Sequence, residues 1–128
     1  MNFKRLIAVG LTAAAMAFST APSWAQDMKV VASFSILGDM VEQVVGERAS
    51  VKTIVGPDAD AHVYQPSVAD AKAVAEADVI FVNGLGFETW SDTLIAESGT
   101  DGTVFVATEG ITPVMVDGET DPHAWNAL

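Results

Sequence analysis

Apolar positions along this chain recur at two spacings that alternate from end to end. Lys29-Val30-Val31-Ala32-Ser33-Phe34 is a β-branched run that predicts a first strand. Ile36, Leu37, Met40, Val41, Val44 and Val45 then share one face at helical period, with Ser35 placed to cap that helix and Gly46 to end it. Val51–Val55 predicts a second strand, and Gly56-Pro57 opens a loop. Ser67 and Asp70 have the spacing of a capping box, with Asp where Glu or Gln is usual, and Val68, Ala71, Val74 and Ala75 mark the buried stripe of the helix that follows. Asp78–Asn83 is apolar on both faces, as suits a central parallel strand. Gly84-Leu85-Gly86 turns the chain into a helix carrying Phe87, Trp90 and Leu94 on one face, stopped by Gly99. Thr103–Ala107 is a fourth strand and Ile111–Val116 a further short extended piece. The order βαβαβαβ predicts an α/β fold: an open, mostly parallel sheet with helices on both faces.

The first residues stand outside that pattern. Met1-Asn2-Phe3-Lys4-Arg5 is a basic head, Leu6–Phe18 is a run of apolar and small residues, and Ser23-Trp24-Ala25 puts small side chains where a signal peptidase reads. Residues 1–25 are therefore expected to be a signal peptide, too short in its apolar run for comfortable membrane spanning, which takes about 20 residues. Cleavage before Gln26 would leave residues 26–128 as one small domain in the periplasm, without direct membrane insertion and, lacking cysteine, without a lipid anchor. The missing cysteine also excludes disulfides, thiolate metal ligation and cysteine catalysis. Removing Lys4 and Arg5 from six basic residues leaves four against 17 acidic ones, a net charge of about −13. That balance argues against nucleic acid or anionic lipid as partners and mildly favours cations. No internal repeat interrupts residues 26–128, and Gly110–Thr120, with Pro113 and Gly118, is the one linker-like segment.

Both histidines fall in loops. His62 lies in Gly56-Pro57-Asp58-Ala59-Asp60-Ala61-His62-Val63-Tyr64-Gln65-Pro66-Ser67, after the second strand. His123 lies in Asp121-Pro122-His123-Ala124-Trp125, beyond the fourth, with Pro122 at the first position of a new helix. Open parallel sheets gather their loops at the carboxyl ends of the strands, so both rings are expected on one rim. Neutral imidazole suits zinc, manganese and iron when carboxylates complete the shell. Asp58, Asp60 and Asp121 stand close enough in sequence to orient a ring N–H. Two histidines do not make a metal site unaided, since zinc takes four ligands. Gly84-Leu85-Gly86-Phe87-Glu88-Thr89 lacks the third dinucleotide glycine and reads as a strand-to-helix turn.

Taken together, the His62 loop, Asn83-Gly84-Leu85-Gly86-Phe87-Glu88 and Asp121-Pro122-His123-Ala124-Trp125 resemble the zinc/manganese solute-binding receptors of ABC importers. The resemblance implies that His62 and His123 are the first two metal ligands. It implies two further ligands, a histidine or glutamate and then an aspartate, from a second lobe that has no counterpart in residues 26–128. The segment is then expected to be an amino-terminal metal-binding lobe, truncated before the inter-lobe helix. The cargo would be Zn²⁺ or Mn²⁺, the partner a membrane permease, and no residue would be catalytic. Asp121 and Trp125 match motif positions and are read as capping or supporting a ligand and as packing, and Tyr64 as packing. The histidine-rich loop of many zinc receptors is absent from Gly110–Asp121, so manganese is not disfavoured. Some receptors of this kind are adhesins, but no residue here bears on that role. The alternative is an exported metal-dependent hydrolase with an open position for water, its general base drawn from Asp58, Asp60 or Asp121.

Overall fold

Four parallel strands in the order β2-β1-β3-β4 form the frame of the molecule. The structure, a computed structural model, describes residues 28–126; the expected signal peptide lies outside the described residues. The elements are β1 (Met28–Phe34), α1 (Ser35–Val45), β2 (Ala49–Val55), α2 (Val68–Ala75), β3 (Val79–Val82), α3 (Ser91–Ser98) and β4 (Thr103–Val106). A hairpin of β5 (Met115–Val116) and β6 (Glu119–Thr120) follows, then a 3-10 turn at Ala124–Asn126. The expected α/β order and parallel sheet are present.

Right-handed crossovers dictate where the helices go. The step from β1 to β2 runs one way along the sheet and the steps through α2 and α3 run the other. The helices therefore fall on opposite faces: α1 packs on β1 and β2, and α2 packs beside α3. Strand register fixes the two side-chain layers. Val31, Ile54, Ile80 and Val82 meet Val74 and Leu94 on the α2/α3 side. Phe34 meets Leu37 on the α1 side. Val30, Val55, Val74 and Ile80 are essentially sealed, each contributing about 1.5–3 kcal/mol by burial. Gly38 lets α1 lie close on β2, because a Cβ there would fall 2.2 Å from Thr53 Oγ1.

Several local expectations need correction. Ser35 is not the cap of α1 but its first residue; Phe34, still extended, is the N-cap and has no side-chain acceptor to offer. The apolar face of α1 is only partly buried: Leu37 and Val41 are covered, whereas Ile36, Met40 and Val44 are exposed. Val68, expected in the α2 stripe, is 89% exposed at the first helical position. The linker-like stretch folds into the β5–β6 hairpin, turning at Asp117 (φ 52°) and Gly118 (φ 86°), the two left-handed residues that a tight hairpin turn requires. No described helix is long and apolar enough to cross a membrane.

Candidate metal centre

The strand order places a topological switch between β1 and β3, whose following connections depart in opposite directions, and ligands gather at the carboxyl ends beside such a switch. The His62 loop rises from the end of β2 and the His123 segment returns to the same rim after β4. The two ring centroids lie 5.2 Å apart, with planes inclined at 56°. Two imidazoles sharing a tetrahedral ion would have centroids roughly 5 Å apart, given a metal–nitrogen bond near 2.0–2.1 Å. Both rings remain open to solvent, with side-chain exposures of 46% and 38%.

The same local device holds each ring. Asp60 lies two residues before His62, and its Oδ1 accepts the His62 backbone N–H at 2.9 Å and sits 2.9 Å from the ring Nδ1. Asp121 lies two residues before His123, and its Oδ1 does the same at 3.0 and 2.6 Å. A carboxylate can only accept, so it selects the tautomer with the proton on Nδ1 and leaves the Nε2 lone pair for a ligand. The donated backbone hydrogen bond, then that of the ring, holds each aspartate below its usual pKa. Asp121 thus orients the His123 ring. His123 precedes the 3-10 turn and does not lie within the first turn of a helix.

Beneath the imidazoles is an aromatic floor. Phe87 is buried and lies 4.6 Å from the His62 ring and 5.7 Å from the His123 ring, edge-on to both. Phe34 and Trp125 close around it at 4.8 and 4.9 Å, and Trp125 lies 5.3 Å from His123. The packing role expected of Trp125 is therefore observed. Tyr64 does more than pack against Trp90, since its hydroxyl donates to Asp70 Oδ2 at 3.0 Å. The His62 loop is tied to the start of α3 by the Trp90 indole N–H, which donates to the Ala61 carbonyl at 2.7 Å. Sequence reading placed Phe87 and Trp90 on a helix face, whereas α3 begins at Ser91 with Trp90 as its N-cap; nothing in the spacing of Trp90 points to this bond.

Among the described residues, no three His, Asp or Glu side chains converge as a metal-holding group. What converges is a pair of imidazoles, and Asp60 and Asp121 are committed to orienting them. Asp58 has no hydrogen bond or ion pair among those of the described residues and is not brought into this arrangement.

The fold matches one lobe of the periplasmic metal-binding proteins. It superimposes on the Mn-bound periplasmic metal-binding protein from Candidatus Liberibacter asiaticus with a TM-score of 0.70 at 34% identity, covering 77% of this chain and 38% of that one. Residues 30–128 match the family described as zinc-uptake complex component A, periplasmic, and the chain belongs to that family. It is 43% identical over 101 residues to the manganese-binding lipoprotein MntA of Halalkalibacterium halodurans, covering 78% of this chain and 34% of that protein. It is 35% identical over 120 residues to the iron-binding protein YfeA of Yersinia pestis, covering 90% and 38%. The chain thus spans little more than a third of the length of these relatives.

Proposed function

We propose that this chain is the amino-terminal lobe of a receptor that captures Zn²⁺ or Mn²⁺ outside the cytoplasm for an ABC importer, with His62 and His123 as two of the ligands. The observation that carries the reading is the matched pair of Asp-X-His units, which present two imidazoles 5.2 Å apart at one sheet edge. Family membership and the metal-binding names of the relatives support it. Two nitrogen donors fill half of a four-ligand shell. In this reading the remaining ligands, His or Glu and then Asp, come from a second lobe. A membrane permease receives the ion. The ion leaves unchanged, so no residue is catalytic. The hydrolase alternative is disfavoured because Asp60 and Asp121 are each bound to a histidine ring, and Asp58 forms no group with the two imidazoles among the described residues. Several relatives are named lipoproteins; this chain has no cysteine to carry a lipid, and we place it free in the periplasm after removal of residues 1–25.

The test is metal content after dialysis, with affinity by titration, for His62→Ala and His123→Ala. Each is expected to lower Zn²⁺ and Mn²⁺ affinity at least tenfold. Unchanged metal retention in both variants would remove the two residues from the ligand set, and metal-dependent ester or phosphoester turnover lost in His62→Ala would favour the hydrolase.

A further inference from the structure

A buried carboxylate lies behind the rim without touching either imidazole. Glu88 is 6% exposed. Its Oε1 accepts the Asn83 backbone N–H at 2.7 Å and the Ser33 hydroxyl, and its Oε2 accepts the Gly84 N–H at 3.2 Å. It thereby bridges the ends of β1 and β3, the two strands flanking the switch, and fills the crevice between them. The turn it grips is unusual: Gly84, Leu85 and Gly86 all have positive φ (84°, 55° and 74°). A left-handed leucine is strained and persists only where its surroundings hold it. At Gly84 a Cβ would also fall 2.4 Å from Val106 Cγ1, so the turn must pass close against β4.

Two residues of this turn reach the site. Phe87 lies under both imidazoles. Asn83 ties the returning chain to the sheet: its carbonyl accepts the Thr108 hydroxyl at 2.6 Å, and its side-chain amide donates to the Pro122 carbonyl at 2.9 Å. Pro122 immediately precedes His123. The segment between Thr108 and Asp121 is mostly exposed, so the Asn83 amide is a direct polar tie from the buried sheet end to the His123 segment.

We infer that Asn83, locked by Glu88, is a positioning residue for His123: it sets where the second imidazole stands relative to the first and so tunes metal affinity without contacting metal. This rests on the ligand assignment proposed above. Partners bonded directly to a ligating ring are worth about 10–100-fold in metal affinity, and a tie one residue removed is expected at the low end of that range.

The experiment is a double-mutant cycle on the full chain with Zn²⁺ as probe, read beside the imidazole N–H resonances of the metal-free protein. Asn83→Ala and Asn83→Asp, which remove the amide donor, are expected to weaken Zn²⁺ roughly tenfold when His123 is present and less than about twofold in a His123→Ala background. Glu88→Gln, which replaces one acceptor oxygen with an N–H donor, should act in the same direction. In the metal-free chain Asn83→Asp should broaden or shift the His123 Nδ1–H signal and leave that of His62 in place. An equal loss in both backgrounds, unchanged affinity, or equal disturbance of the two ring signals overturns the inference. If the wild-type chain binds no Zn²⁺, the ligand assignment fails, while the resonances still decide the positioning role. If neither Asn83 variant folds, the wild-type side-chain amide decides it: slow hydrogen exchange of both protons supports the tie, and fast exchange overturns it.

Discussion

Two aspartates do the same job at two distant places in the chain, and each does it through a single oxygen. Asp60 and Asp121 accept from the backbone and ring of the histidine two residues on, fixing rotamer and tautomer together. Asp60→Asn and Asp121→Asn keep an acceptor oxygen but remove the charge that favours a basic Nε2. Each is expected to lower Zn²⁺ affinity about tenfold with little change in fold, checked by titration calorimetry and circular dichroism. Part of this was legible beforehand, because a carboxylate two residues from a loop histidine is short-range chemistry. The convergence of the rings followed from where loops gather on a parallel sheet. The roles of Glu88, Asn83 and Trp90 did not, because each also bonds to a partner (Ser33; Pro122 and Thr108; Ala61) 25 to 55 residues away in sequence, where spacing carries no information.

At the scale of elements, local signals were reliable where the chain solves its own problem. The Ser67–Asp70 box is present in full: Asp70 N–H donates to Ser67 Oγ, and Asp70 Oδ2 accepts the Ser67 N–H at 2.8 Å. Asp in place of Glu suffices because the same oxygen also takes the Ser67 and Tyr64 hydroxyls. Burial pushes the Asp70 carboxyl up, but the Ser67 N–H and hydroxyl, the Tyr64 hydroxyl and the Lys52 charge outweigh it, and its pKa is lowered. A lowered folded pKa stabilises above the unfolded value near 3.8 and loses that contribution as pH falls through the folded one. Asp70→Ala is therefore expected to cost about 1–2 kcal/mol at pH 7 in urea denaturation, with the gap to wild type narrowing below about pH 4. Helix faces were less legible. Periodicity marks which residues of α1 share a side, but not how far a neighbouring layer extends over that side. Met40 and Val44 stay exposed for that reason.

Over the whole molecule the two sheet faces are not equally covered. On the α1 side, the stacked rings of Phe81 and Phe105 lie beyond the helix, and β4 is an exposed edge with Phe105 about half open. The four strands of the main sheet and their sequence along the chain were readable from the hydrophobic pattern, whereas their order within the sheet and the exposure of β4 were not, since Thr103–Val106 is as apolar as an interior strand. The rim is the opposite case, compact and crowded with rings. Trp125 lies 5.3 Å from the His123 imidazole, and its indole also abuts Phe34 and Phe87. The chain therefore carries its own optical reporter beside the proposed cargo. A paramagnetic ion such as Mn²⁺ arriving at His123 should dim indole emission along a saturable curve. That response should vanish in Trp125→Phe while calorimetric uptake persists, so occupancy could be followed by light alone, without a dye or a label.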